Sequence, residues 1–162
     1  MNGIAPMTEI ENESPMSLRD TPEFKEQWVK ISQKELDEIL TVHERFAISE
    51  RGGERAKLGM YDMSYLDLAG RNLAGADFTG ALLCHCSLSE TNLVDAILFA
   101  ADLRFTDMRE AVFDRADLRG ARMNEAKLRV AQFNDADLRP GELWDGSGEA
   151  AATDFSCADL DE

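Results

Sequence analysis

The chain has 162 residues, with 32 acidic against 17 basic side chains and a net charge of -15. This balance argues against direct binding of nucleic acid, because such a protein needs a basic surface to displace counterions. The sequence has no apolar run of the ~20 residues that cross a membrane. Its first residues predict no secretory signal, and its three cysteines predict a reduced, cytoplasmic protein.

The N-terminal part of the chain is predicted to contain a tail and a helical cap region. Residues 1–20 are polar and are predicted to form a disordered acidic tail. Thr21-Pro22-Glu23 is typical of a helix start, and Phe24 and Trp28 would share one face of that helix. We expect this helix either to form a second layer of the cap region, residues 21–55, or to bind a partner.

A second helix is predicted later in the cap region. Ser32 and Glu35 have the spacing of a capping box. Apolar residues at helical spacing predict an amphipathic helix over residues 33–49, which Gly52-Gly53 ends. Its buried face would consist of Leu36, Ile39, Leu40, His43 and Phe46.

Residues 56–140 have a five-residue period. Seventeen positions at this spacing, from Leu58 to Leu138, hold only Leu, Met or Phe, although these types fill only 33 of the 162 positions in the chain. We call these positions centres. The residue two before the centre is Ala in 11 of the 17 units, and the residue immediately before it is Asp, Asn or Ser in 10. Chance does not explain this regularity, so the fold must.

A period of five fits neither an α-helix nor a plain β-strand, whose side-chain periods are 3.6 and 2. It fits a short extended piece followed by a corner, in which the centre and the residue two before it point inward and the residue between them points outward. Four such corners close a square coil, and successive coils stack about 4.8 Å apart. The predicted core includes Phe78, Leu83, Leu98, Leu103, Phe113, Leu118, Phe133 and Leu138.

The pattern resembles that of the pentapeptide-repeat proteins, Ala-Asp/Asn-Leu-x-x. Good matches are Ala76-Asp77-Phe78, Ala101-Asp102-Leu103, Ala116-Asp117-Leu118 and Ala136-Asp137-Leu138. The resemblance covers residues 56–140, which is 85 of the 162 residues. It implies an all-β solenoid, a right-handed quadrilateral β-helix of just over four coils, with an N-terminal α-helical cap like those of many bacterial members. We expect the cap because an open solenoid end exposes apolar core and unpaired strand edges.

The first coil departs from the pattern at three positions. Tyr61, Leu66 and Arg71 stand two before the centre, where small residues stand elsewhere. Bulky residues fit there only if the end of the prism is open to another element, and a buried guanidinium needs partners. We expect the Arg71 side chain to reach out of the open end.

The five-residue frame is lost at the C-terminus. Residues 141–162 carry seven acids and no base, and they are predicted to form an acidic loop followed by two repeats. These repeats, Thr153-Asp154-Phe155 and Ala158-Asp159-Leu160, are two residues out of phase with the frame. Either they dock on the last full coil or the chain is the front of a longer solenoid.

Groups that could support catalysis or metal binding are few. Cys84-His85-Cys86 has the composition of a metal site, but the frame turns Cys86 inward and the other two to an outer corner, so the three cannot converge. His43 is expected to be structural. The acids are spread over four faces and form no acid pair, and a filled prism offers no cavity. We therefore expect no enzyme activity, no metal and no cofactor.

Three functions remain. The first is a non-enzymatic interaction module that presents a rigid β-helical surface to a protein partner. The second is the N-terminal regulatory or targeting part of a larger protein. The third follows from the resemblance, because some pentapeptide-repeat proteins mimic DNA and bind type II topoisomerases such as gyrase. A homodimer through a solenoid end is a further option.

The charge pattern favours the DNA mimic in one respect and weakens it in another. The total of -15 suits a mimic, but residues 56–140 carry 13 acids and 10 bases and so contribute only -3. Asp and Arg also stand two apart on one face, which neutralises the surface, at Asp102/Arg104, Asp117/Arg119 and Asp137/Arg139.

The frame also predicts an apolar ridge on the outside of the prism. Val94 and Val112 share a face on adjacent coils, and Ile97 and Phe99 lie round the next corner. A contiguous apolar patch often marks an interface, although the N-terminal segment could instead fold back over it. The predicted partner-binding residues are therefore Val94, Ile97, Phe99, Val112, Phe24 and Trp28.

Overall fold

The structure is a computed structural model that describes residues 27–141 and 152–160. Its elements are strand β1 (Val29–Lys30), helix α1 (Gln33–Ala47) and strand β2 (Tyr61–Asp62). The repeat that follows consists of single parallel bridges between residues 20 apart, such as Asp77 with Ile97 and Ile97 with Asp117. Within the described ranges, no helix has the length and apolar character needed to cross a bilayer.

The bridges stack the repeat into coils of 20 residues with four faces. The first coil runs from residue 56 to 75, and the second, third and fourth begin at residues 76, 96 and 116. Each face is a column of centres, and we number the faces in chain order from the one that begins at Leu58. Backbone amides of the centres donate to the next coil, as Leu98 does to the Asp117 carbonyl at 2.8 Å.

The interior is filled by the centres and the small residues two before them, as the period predicts. Phe78, Leu83, Leu98, Leu103, Phe113 and Leu118 are at most 1% exposed. The prediction is wrong for Leu138, which is 39% exposed, and Phe133 is only partly buried. Both lie at the C-terminal end of the prism, where the part of the chain that the structure describes places no further strand over the first and fourth faces.

The corners place the second residue after each centre at positive φ. Non-glycine residues at this position in the repeat have φ between 54 and 68°. Gly120 is needed for two reasons, since its φ is 65° and a Cβ there would lie 2.7 Å from the Gly141 carbonyl oxygen.

The capping box predicted for α1 is present. The Ser32 amide donates to the Glu35 carboxylate at 2.9 Å, and the Ser32 hydroxyl accepts from the Glu35 amide at 3.4 Å. The helix ends at Ala47, two residues before the predicted end.

The buried face of α1 differs in part from the predicted one. Leu36, Leu40 and His43 are fully buried, and Ile39 is half-buried. Phe46 is 41% exposed, so its assignment to the buried face is wrong. Its ring instead stacks on His43 at 5.6 Å and lies beside the corner at Gly75.

Helix α1 lies against the first coil, next to the three bulky departures from the repeat. Tyr61 and Leu66 are partly buried against the core. Arg71 reaches out of the prism, as expected, and binds the helix: its Nε donates to Glu44 at 2.6 Å and its Nη1 to Asp37 at 3.2 Å. The guanidinium thus has the partners that its burial requires.

The prediction of a helix that begins at Thr21 is wrong for the part of this segment that the structure describes. Val29–Lys30 form β1, which pairs in parallel with Tyr61–Asp62. The second face of the first coil offers an open strand edge, and pairing with that edge prevails over a local helical pattern. The predicted tail, residues 1–20, and Phe24 lie outside the described residues.

The two out-of-phase repeats dock on the fourth coil. Asp154 bridges to Arg122 and Asp159 to Lys127, so the repeats supply the second and third faces of a fifth coil. The step from Arg122 to Asp154 is 32 residues instead of 20, which leaves a 12-residue insertion in the frame. Most of that insertion, residues 142–151, lies outside the described residues.

Candidate interaction surface

The predicted ridge lies on the fourth and first faces of the prism. Val112 accepts a backbone hydrogen bond from Leu93, the residue before Val94, so the two valines stand on adjacent coils of the fourth face. Ile97 and Phe99 flank a centre of the first face. All four ridge residues are half-buried. The structure therefore places them where the frame predicts, and whether they bind a partner stays a prediction.

Phe99 is engaged within the chain. The guanidinium carbon of Arg119 lies 5.2 Å from the centroid of its ring. Gly141 approaches the same ring so closely that a Cβ on Gly141 would lie 2.8 Å from it. This end of the ridge is therefore shared with a cation–π contact and a backbone crossing.

Trp28 was predicted as a partner-binding residue, but the structure buries it. Its side chain is 8% exposed, and its indole N–H donates to the Gly80 carbonyl at 2.7 Å. Gly80 lies at the corner between the first and second faces, so Trp28 covers that corner from outside.

A column of aromatic rings lies at the corner between the second and third faces. The rings of Tyr65 and His85 stack at 4.8 Å and those of His85 and Phe105 at 4.7 Å, within 5° of parallel. Tyr65 is 75% exposed and Phe105 41%, and His85 is also exposed. We call these three residues the aromatic column.

The sequence reasoning missed the aromatic column, although the signal was present. The three residues are 20 apart and share the position two after a centre. The five-residue period alone predicts only a corner suited to glycine at that position. Coil stacking brings every twentieth residue into contact outside the prism as well as inside.

The cysteines take the places that the frame predicts. Cys86 is 2% exposed inside the prism, His85 is exposed at the corner, and Cys84 is intermediate. Burial raises the pKa of both the Cys84 and the Cys86 thiols to about 12. In the described ranges no three His, Cys, Asp or Glu side chains converge in a way that could hold a metal ion.

The predicted Asp–Arg pairs form on the outer faces. Asp102/Arg104, Asp117/Arg119 and Asp137/Arg139 each have an N–O distance of 2.7 Å. Two further pairs, Asp107/Arg109 and Asp95/Arg115, lie at 2.7 and 2.8 Å. The acidic surface of the repeat is therefore largely neutralised by arginine.

Asp102 is the most buried member of these pairs. Only 6% of the residue is exposed, and it binds both Arg104 and Arg122. Burial raises the pKa of this carboxyl, but the Arg104 hydrogen bond and the Arg122 charge outweigh that effect and lower it overall. At the exposed end of the prism, the hydrogen bond from Arg139 lowers the pKa of Asp137 to about 2.

The comparison with protein families decides the identity of the repeat. The model for pentapeptide repeats matches residues 62–98 and 96–135, in 8 copies. Residues 62–135 of this chain are pentapeptide repeats. No curated protein matches it. The family implies that the coils described above form a right-handed quadrilateral β-helix, a fold that serves as a protein–protein interaction module.

Solved structures of other pentapeptide-repeat proteins are similar to this one. Rfr23 from the cyanobacterium Cyanothece 51142 is 23% identical with a TM-score of 0.50, over 69% of this chain and 67% of its own. HetL from Nostoc sp. strain PCC 7120, a protein involved in heterocyst differentiation regulation, is 30% identical with a TM-score of 0.48. That match covers 49% of this chain and only 37% of HetL.

QnrB1, a plasmid-mediated fluoroquinolone resistance protein, is a more distant match. It is 16% identical with a TM-score of 0.25, over 67% of each chain. A likeness at this level says nothing about a shared partner.

Proposed function

We propose that the chain is a non-enzymatic interaction module and that its β-helix presents the aromatic column to a protein partner. The observation that carries the proposal is the exposure of three stacked rings on a prism whose interior is filled by its own side chains. Such a prism has its chemistry on the outside.

The aromatic column has the properties of an interface anchor. Aromatic side chains supply large, rigid contact area and dominate the binding energy of many interfaces. Each ring of the column is held by stacking on its neighbour, so little side-chain freedom is lost when a partner covers it. The column is therefore preorganised for binding.

The ridge of Val94, Ile97, Phe99 and Val112 is the second candidate surface of the same module. Its residues stand on the other side of the prism from the aromatic column. The Arg119 contact with Phe99 supplies a polar rim, which interfaces commonly have around an apolar centre.

A photocrosslinking experiment distinguishes the two surfaces. A benzophenone amino acid is placed at Phe105, at Ile97, or at Arg115. Like Phe105, Arg115 stands two residues after a centre on the third coil, but it lies at a different corner of the prism. In the cell that makes the protein, we expect one defined adduct from position 105 and none from position 115. An adduct from position 97 alone would move the interface to the ridge.

Binding of the purified adduct partner then measures the contribution of the column. Changing Tyr65→Ser together with Phe105→Ser should weaken binding by roughly a hundredfold, since two anchors are lost. The melting temperature should change little, because both side chains are exposed. Unchanged affinity in this variant and in Ile97→Ser/Phe99→Ser would refute the proposal.

We propose further that α1 acts as the cap of the solenoid. Its residues Leu36 and Leu40 are fully buried, on the side of the helix that lies against the first coil. Changing both to Asp should unseat the helix and expose the first coil, so that the protein self-associates. Sedimentation velocity would detect this, and a variant that stays monomeric would remove the capping role.

A homodimer through the C-terminal end is a second proposal, supported by the apolar surface there. Val130 is 64% exposed and Leu160 60%, and with Phe133 they line an open cavity of about 510 Å³. If this end joins two copies, Val130→Asp with Leu160→Asp should convert the dimer to a monomer in sedimentation velocity. A wild-type protein that is monomeric at high concentration would rule it out.

Location and a role within a larger protein stay predictions. A cytoplasmic protein and a regulatory or targeting part of a longer chain are both compatible with the interaction module proposed above. Fractionation of the producing cells, followed by immunoblotting for the size of the native protein, tests both.

A further inference from the structure

The first coil has strand edges that face away from the second coil and need partners of their own. Within the repeat, the amide of the residue before each centre donates to the preceding coil, as Asp77 does to the Ala56 carbonyl at 3.0 Å. The equivalent residues of the first coil are Lys57, Asp62, Asp67 and Asn72, one on each face. The way in which each one is satisfied shows what the end of the prism can still bind.

On three of these four faces the N-terminal elements pair with the edge, through both amide and carbonyl on the second and third faces and through the amide on the fourth. On the second face, β1 pairs with β2, and the Ile31 amide donates to the Asp62 carbonyl at 3.4 Å. On the third face, the Gln33 side-chain amide replaces a strand, because it accepts from the Asp67 amide at 2.8 Å and donates to its carbonyl at 2.9 Å.

On the fourth face, the Glu44 carboxylate of α1 accepts from the Asn72 amide at 3.4 Å. The same carboxylate binds Arg71 at 2.6 Å.

The first face is different. Within the part of the chain that the structure describes, neither the amide nor the carbonyl of Lys57 has a hydrogen-bond partner. The neighbouring Ala56 amide donates to His43 Nδ1 at 3.1 Å, which closes the edge just before Lys57. One donor and one acceptor are left open side by side, the same pair that Gln33 satisfies on the third face.

A groove of about 680 Å³ lies over this open edge. Its sides are β1 and α1, and its apolar lining includes Ile31, Ile39 and Val42. The volume falls within the roughly 300–1,000 Å³ that is usual for ligand pockets.

The charges around the groove differ between its sides. The helix contributes the carboxylates of Glu35 and Glu38, whereas the strand and the first coil contribute Lys30, Arg55 and Lys57, together with Glu54. No single sign of charge prevails, which disfavours an anion or a simple cation as ligand. A chain that carries both backbone polarity and apolar side chains matches the lining better.

We propose that this groove binds an extended peptide segment of a partner protein, which adds as a strand to the open first-face edge at Lys57. The peptide would exchange hydrogen bonds with the Lys57 amide and carbonyl. It would lie on the same outer edge of the first coil as β1 and place apolar side chains against Ile39 and Val42. This site is separate from the aromatic column, so either proposal can fail without the other.

The test uses the full chain, labelled with ¹⁵N, and two peptide probes followed by amide NMR. The first probe is acetyl-Lys-Val-Thr-Val-Thr-amide. The second, acetyl-Lys-Pro-Thr-Pro-Thr-amide, has the same charge but lacks two of the amides needed for strand pairing. We expect saturable shifts of the Lys57, Val42 and Lys30 amides with the first probe and none with the second.

Two matched pairs of variants locate the contact. Lys57→Pro removes the open amide and Lys57→Ala keeps it, so the first should bind at least about tenfold more weakly and the second as the wild type does. Val42→Glu charges the lining, whereas Thr41→Glu places the same charge on the exposed face of the helix. The Val42 pair decides the matter if Lys57→Pro does not fold.

Three results would overturn the proposal. One is the absence of saturable shifts in the wild-type chain, and another is a set of shifts that lies outside the groove or survives both Lys57→Pro and Val42→Glu. The third is a nuclear Overhauser contact, before any peptide is added, between the Lys57 amide and residues 23–26. That contact would show that the protein's own chain takes the place assigned to the partner.

Discussion

The inward and outward positions of the repeat can be tested with one acid placed at two adjacent residues. Leu98 is a centre in the middle of the first-face column and is 0% exposed. Ile97, immediately before it, points outward and is half-buried, and the equivalent residues on the coils above and below are Asp77 and Asp117. Leu98→Asp and Ile97→Asp therefore introduce the same group one position apart.

The expected cost of Leu98→Asp comes from two effects. Burial of a leucine side chain contributes about 1.5–3 kcal/mol, which the substitution removes. A carboxylate in the apolar interior without a partner costs several kcal/mol more, even after relaxation. The sum approaches the 5–15 kcal/mol that typically stabilises a whole domain. The solenoid should therefore be largely unfolded.

Ile97→Asp has a much smaller expected effect. The column already carries Asp at 77 and 117, so the new carboxylate fits the outer face and costs only the repulsion between like charges and the partial burial of the isoleucine. We expect the free energy of unfolding to fall by no more than about 1 kcal/mol.

Thermal unfolding followed by circular dichroism measures both variants. The wild type and Ile97→Asp should show cooperative transitions at similar temperatures, whereas Leu98→Asp should show none. Leu98→Ala should fall between them, with a loss of about 2–5 kcal/mol. If Leu98→Asp melts like Ile97→Asp, the assignment of centres to the interior is wrong.

Three further predictions concern the first coil and the charged surface. Gln33→Ala leaves the Asp67 amide and carbonyl unsatisfied, so hydrogen exchange at the Asp67 amide should speed up. Exchange at the Phe113 amide, deep in the prism, should stay the same. Equal acceleration at both amides would show that Gln33 acts on global stability. Burial lowers the pKa of His43, so the unfolded state binds the proton more readily and the free energy of unfolding should decline as the pH falls below about 6.5. Urea titrations between pH 5 and 8 should show this slope in the wild type and not in His43→Gln, and an identical slope in both would assign it elsewhere. Because arginines neutralise the repeat, the protein should not inhibit DNA supercoiling by gyrase, and inhibition at low micromolar concentration would restore the DNA-mimic hypothesis.

The repeat itself could be predicted almost completely from the sequence. Whether a side chain points inward or outward depends on its neighbours within five residues, because alternation along an extended piece and the corner that follows are local. The burial of Leu98 and Phe113, the outward position of His85 and the Asp–Arg pairs two residues apart all follow from this local geometry.

The ends of the prism and the surface columns were decided by the tertiary structure. Gln33, Glu44 and Arg71 are polar residues far apart in sequence, and only the docking of α1 turns two of them into substitutes for a strand. The return of the chain at Asp154 likewise depends on an open edge at Arg122, 32 residues away.

The aromatic column shows the same division. Tyr65, His85 and Phe105 each satisfy the local rules of a corner, and nothing within five residues brings them together. Their stacking results from the distance between coils, which matches the thickness of an aromatic ring pair. Local pattern therefore determined the coil, whereas contacts between coils, and between the first coil and α1, determined what the outside of the protein offers to a partner.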